Sequence, residues 1–183
     1  MYKRQSLLSE QIVTNEKQTV EIQLDRKIRS SIDVVAKCHF DLPIVVDVPK
    51  NLDDGTPFPT MYWLTCPMYV KKVSTLESNG MVKELDNQLG DNKKLQKLWS
   101  KRQKSYEKER NKKYKSLLNT ISPIGGVGGT TKSIKCLHSH LADELVSGKN
   151  VIGKIILESV GGCNCNAPCI VEGAKNDKWR IEW

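Results

Sequence analysis

The sequence predicts one α+β domain, mostly helical, with a small β-element near residues 31–64. Three observations carry that prediction. Apolar residues recur at helical spacing through 14–28 and again through 93–121. Two runs rich in β-branched residues, SIDVVAKCHF (31–40) and PIVVDVP (43–49), are separated only by Asp41-Leu42. No apolar run approaches the ~18 residues needed to span a bilayer, so no membrane partner is expected.

Each element follows from local chemistry. In TNEKQTVEIQLDRKI (14–28), Thr14 can cap a helix whose Val20, Leu24 and Ile28 share a face. The two β-rich runs read as a hairpin or neighbouring strands. Gly55, Pro57 and Pro59 break NLDDGTPFPT (51–60) into turn and loop. MYWLT (61–65) is a short strand. Pro67 suits the first turn of a helix that reaches Ser78 and stops at Asn79-Gly80. MVKELDNQLG (81–90) is a further helix. In the long helix 93–121, Leu95, Trp99, Tyr106, Tyr114, Leu117 and Ile121 lie along one face. GGVGG (125–129) is expected to be a flexible loop, and GGVGGTTK lacks the spacing of a Walker phosphate loop. SIKCLHSHLADELVSG (133–148) is helical in its later part and ends at Gly148. The domain is expected over 1–150, with 151–183 a C-terminal extension: a short apolar run, then a cysteine-rich tail.

The net charge of +8 is unevenly placed. Between Lys93 and Lys115 stand eleven Lys or Arg and two Glu, while the rest of the chain is near neutral. Basic groups interleaved with Trp99, Tyr106 and Tyr114 suit phosphates and stacked bases. An RNA- or ribosome-associated role through Lys93–Lys115, or an acidic protein partner there, is therefore one alternative reading. The other is a helix that turns its aromatics inward and its lysines to water.

The start, MYKRQSLLSEQIVTNEKQ, is basic but has no apolar segment behind it, so no secretory signal is read and the reducing cytoplasm is the expected compartment. There, six cysteines argue for metal or thiol chemistry before disulfides. The nine Cys and His residues fall in four places: Cys38-His39, Cys66, Cys136-x-His138-x-His140, and Cys163-x-Cys165-x3-Cys169. Thiolate and imidazole suit Zn²⁺ and iron–sulfur clusters. On a helix Cys136 shares a face with His140; if Cys136 precedes the first turn it converges with His138 instead. Cys66 sits beside a helix N-cap, where the helix dipole favours thiolate. That suits a ligand or a nucleophile, so a thiol- or metal-dependent enzyme using Cys66 is a further alternative. Cys163, Cys165 and Cys169 can bind metal among themselves or complete a site with the others. Cysteine also packs as a small hydrophobe, which suits Cys38 on its strand.

GTPFPTMYWLTCP (55–67), VSTLESNGMVKEL (73–85) and GGVGGTTKSIKCLH (125–138) together resemble an uncharacterised bacterial family, domain-of-unknown-function family five hundred and one. AKCHFDLP (36–43) resembles the family's upstream stretch, with Asp41 where the family has Gly and Lys37 where it has Arg. The resemblance covers about residues 30–150 and brings no activity with it. It places Cys38, Cys66, Cys136 and His138 on motif positions, and some members carry His at the position of Cys66. That implies a four-ligand Cys3His site, with Zn the favoured metal and an iron–sulfur cluster the alternative. His138 is favoured over His140; His140, Cys163, Cys165 and Cys169 are secondary candidates. The expected function is thus a cytoplasmic metal-binding protein with a structural or sensing site.

Overall fold

PIVVD is apolar on both faces of its pleat, and the structure shows why. In this computed structural model, which describes residues 16–113 and 123–180, it is the central strand of a three-stranded antiparallel sheet. The strands β1 (Asp33–Lys37), β2 (Pro43–Asp47) and β3 (Tyr62–Leu64) lie in the order β1-β2-β3. Val45 enters the main core, whereas Val46 and Val48 pack against Val20 and Ile28. Val20 comes from the first helix, α1 (16–24), which ends where Asp25 turns to φ +59°. Thr14, the expected cap, lies outside the described residues. At the edge, β1 alternates exposed and half-buried residues, as a strand with one free side should.

The β1–β2 connection is tight. Asp41 N–H donates to the Cys38 carbonyl and Cys38 N–H to that of Leu42, both at 2.9 Å. Asp41 itself sits in the left-handed region at φ +59°. Glycine enters that region without penalty, and Asp is among the few other residues that tolerate it.

The helices follow their stop signals closely. α2 (Pro67–Ser78) has Pro67 in its first turn and Cys66 at its N-cap; α3 (Met81–Asp91) starts from Gly80 at φ +88°. α4 (Lys93–Lys113) is capped by Asn92, whose Oδ1 accepts from Lys94 N at 3.1 Å and Leu95 N at 3.0 Å. α5 (Leu137–Ser147) closes at Gly148, φ +62°. The apolar run of the C-terminal part forms α6 (Val151–Val160), capped by Asn150. Ile152 and Ile156 join Leu85, Trp99, Leu137 and Leu141 in the main core. A two-strand hairpin, β4 (Ile170–Val171) with β5 (Ala174–Lys175), lies beyond it. The fold is α+β and mostly helical, as the sequence predicts, and no described helix is long and apolar enough to cross a membrane.

The GGVGG segment departs from expectation. Val127 is fully buried with Met61 and Tyr106, and its N–H donates to Gln103 Oε1 at 2.6 Å. A Cβ on Gly126 would stand 2.3 Å from that same oxygen, so glycine serves close packing here and not flexibility. Arg110 holds the neighbourhood together. Its buried guanidinium donates to the carbonyls of Pro59 (2.7 Å), Gly125 (2.9 Å) and Pro123. Three carbonyl dipoles thereby satisfy an arginine that the sequence counts among surface charges.

Candidate metal centres

The C-terminal half of α2 faces the start of α5, and three ligand-type side chains meet there. Ligand atoms of Glu77, Cys136 and His138 all lie within 4.8 Å of one another. Cys136 is the N-cap of α5, extended at φ −137°, so it precedes the first turn and stands with His138 instead of His140. Glu77 Oε1 accepts from Leu137 N at 2.7 Å, which ties the last turn of α2 to the first of α5. The same oxygen lies 3.2 Å from His138 Nδ1. On the other ring edge, Nε2 is 3.2 Å from the Val70 carbonyl and 3.2 Å from Ser74 Oγ. A carbonyl can only accept, so Nε2 carries a proton in either charge state; Nδ1, turned toward Glu77, donates to the carboxylate when the ring is charged and offers a lone pair to a metal when it is neutral. A backbone carbonyl on the far nitrogen is the orienting partner that metal-bound histidines use.

Electrostatics fit either an ion or an ion pair. Burial alone would raise the Cys136 thiol, but hydrogen bonds from His138 and Ser139 outweigh it and hold the thiol below its ordinary value. Burial would likewise lower His138; the Cys136 sulfur and the Glu77 charge prevail and raise it. The His138 and Glu77 side chains keep 24% and 29% exposure, so a bound ion would retain a face toward solvent.

Cys38 and Cys66 lie elsewhere. Glu77 is eleven residues beyond Cys66, about 16 Å along the axis at 1.5 Å per residue. Cys38 and Cys66 line one pocket with Cys163, Cys165 and Cys169. The four ligands expected together thus fall in two places, and the tail cysteines join one of them. Cys66 is buried, and its hydrogen bond to Cys163, with burial, pushes its thiol up in spite of the helix start.

His140 belongs to neither place. It is fully buried on α5, with Nδ1 3.1 Å from Asn150 Oδ1. That oxygen also accepts from Gly153 N at 2.9 Å, while Asn150 Nδ2 donates to Asp143 at 2.8 Å. The amide orientation makes Nδ1 the protonated atom of a neutral ring. Burial pushes its pKa down to about 4.

The family described as "Protein of unknown function (DUF501)" matches residues 34–158. The chain belongs to that family. No curated protein and no solved structure matches it. The DUF501 segment contains Cys38, Cys66, Glu77, Cys136, His138 and His140, and ends inside α6, before Cys163. Glu77 is the residue that a census of cysteine and histidine passes over. Its signal was its place in VSTLESNG, one of the stretches that carry the DUF501 resemblance, but a carboxylate among 21 acidic residues does not announce itself.

Proposed function

We propose that this DUF501 protein binds a transition-metal ion, zinc foremost, through Glu77 carboxylate, Cys136 thiolate and His138 Nδ1. The supporting observation is the mutual approach of those three ligand atoms within 4.8 Å. Sulfur, nitrogen and oxygen donors together suit Zn²⁺, and three protein ligands leave a fourth position for water or a substrate atom. An ion so held would act as a Lewis acid, the open-site pattern of metal-dependent chemistry, not the closed site of a structural zinc. Elemental analysis of anaerobically purified protein tests this. One metal equivalent should disappear from Cys136→Ser and from Glu77→Gln/His138→Gln. A metal content equal to the parent's in both variants, or no metal in the parent, overturns the assignment. In the latter case a Cys136 alkylation profile with a pKa well below ~8.5 would mark a thiolate–imidazolium pair instead.

A second reading rests on α4. Lys97, Lys101, Lys104, Lys108 and Lys112 recur at three- and four-residue steps, so they share one helix face over about 22 Å. All five are exposed, and none enters an ion pair among the described residues. Trp99 and Tyr106 point into the core and are not available for stacking on bases. What supports a polyanion partner is therefore the lysine ridge alone, and RNA backbone phosphates are the chemistry it fits. Salt-dependent RNA binding is the measurement, and binding only to acidic protein would redirect the reading.

A further inference from the structure

Five of the six cysteines are gathered in one place by segments far apart in the sequence. Cys38 follows β1, Cys66 caps α2, and Cys163, Cys165 and Cys169 belong to the segment after α6. Cys66, Cys163 and Cys165 line that pocket together and are electrostatically linked: the Cys66 thiol is pushed up and the Cys163 thiol held down by their mutual approach. Gln23 Nε2 reaches Cys169 Sγ at 3.5 Å, and the backbone carbonyl of Cys165 lies 3.0 Å from His39 Nε2. Three separate parts of the chain thus bring thiols to this pocket, and Gln23 from α1 reaches one of them.

Ordinary burial of small apolar side chains does not account for the arrangement. Four of the five thiols are only half-buried. Over 162–180 only Ile170 and Trp179 are buried, and regular structure is limited to a two-residue-strand hairpin and one 3-10 turn. So little apolar burial is too weak to order a segment of that length against its conformational entropy. Segments of this kind are held by a cross-link, and thiolates on a metal supply one. Among the described residues no three of the five sulfurs lie mutually within 4.8 Å. The five thiols line a shared pocket without closing on a common point.

We propose that Cys38, Cys66, Cys163, Cys165 and Cys169 supply a second, thiolate-ligated metal centre that pins the C-terminal segment to the DUF501 domain. Four of the five ligate, in the all-sulfur chemistry shared by a structural zinc and an iron–sulfur cluster. This centre is separate from the one at Glu77, Cys136 and His138 and stands or falls independently of it.

The test uses the full chain, purified anaerobically, in three forms: parent, Glu77→Gln/His138→Gln and Cys66→Ser/Cys163→Ser. The Glu77→Gln/His138→Gln protein should keep one metal centre, which Cys66→Ser/Cys163→Ser loses. Zinc content without visible absorption identifies a single ion; iron with sulfide and visible charge-transfer bands identifies a cluster. Cobalt substitution in Glu77→Gln/His138→Gln should give the intense thiolate-to-cobalt bands of an all-sulfur site. A variant that fails to fold is covered by a second measurement on the parent. Chelation should open 162–180 to protease while helicity is retained. Metal kept by Cys66→Ser/Cys163→Ser and lost from Glu77→Gln/His138→Gln overturns this centre alone. Five alkylatable thiols in metal-free, protease-resistant protein, or a Cys66–Cys163 disulfide in its place, also overturns it.

Discussion

Arg102 on α4 grips Asp143 on α5 with two parallel hydrogen bonds, 2.8 Å from Nε and 2.6 Å from Nη2. The arginine side chain is 3% exposed and the carboxylate not at all. Asn150 caps the same carboxylate from the start of α6, and Glu109 takes the third guanidinium nitrogen at 2.9 Å. One buried charge pair thus joins three helices. Removing one partner leaves an uncompensated charge in the interior. Arg102→Met should cost about 3–5 kcal/mol in urea unfolding, and Arg102→Met/Asp143→Leu should recover a large part of it. A single variant within ~0.5 kcal/mol of the parent would show that solvent reaches the pair.

The lysine ridge predicts the opposite pattern. Lys101→Glu/Lys104→Glu touches only exposed side chains, so stability should stay within ~0.5 kcal/mol of the parent. If the ridge contacts phosphates, the same variant should weaken RNA binding and flatten its salt dependence by about one unit of slope per lysine removed. Filter-binding at several salt concentrations decides it. An unchanged slope would leave the ridge a solvated face.

How far the sequence could be read depended on whether a signal was local. PIVVD and the Trp99–Tyr106 face carry their burial in their own periodicity, and Pro67 and Gly148 mark helix ends by backbone chemistry alone. VIGKIILESV reads only as a short apolar run, and its helix is not legible there. In the structure a Cβ on Gly153 would stand 2.2 Å from the His140 carbonyl, so that glycine is what lets α5 and α6 approach. Arg102 and Arg110 looked like surface charge because their partners, Asp143 and three loop carbonyls, are distant in sequence. At the candidate site the thiol and the imidazole were legible, but the Glu77 carboxylate and the grouping of the ligands were not. That grouping turns on which end of α2 each one meets, a fact of tertiary packing.

At the β1–β2 turn, Asp41 holds φ +59°, where a Cβ is a liability. The Lys37–Asp41 ion pair at 3.6 Å is exposed on the Asp side and contributes little. Asp41→Gly should therefore be at least as stable as the parent, and Asp41→Val less stable by about 1–2 kcal/mol. Thermal melts of the three proteins give the order. Because the turn carries Cys38, the valine variant should also lower metal retention if Cys38 is a ligand.

His140 sets the last expectation, a loss of stability toward acid. Burial opposes its protonation; the Asn150 hydrogen bond and the charges of Asp143 and Asp86 favour it and do not prevail, leaving the folded pKa at about 4 against an ordinary 6.5. Below pH 6.5 the unfolded chain takes up this proton while the native chain does not, so stability falls as pH drops from 6.5 toward 4. Between pH 7 and 5 the contribution is about 2 kcal/mol. His140→Gln keeps a donor for Asn150 and removes the titration. Urea midpoints for parent and variant across that range should diverge at neutral pH and converge toward pH 4. Parallel curves would mean that water reaches His140 Nε2, the ring atom that has no protein partner among the described residues.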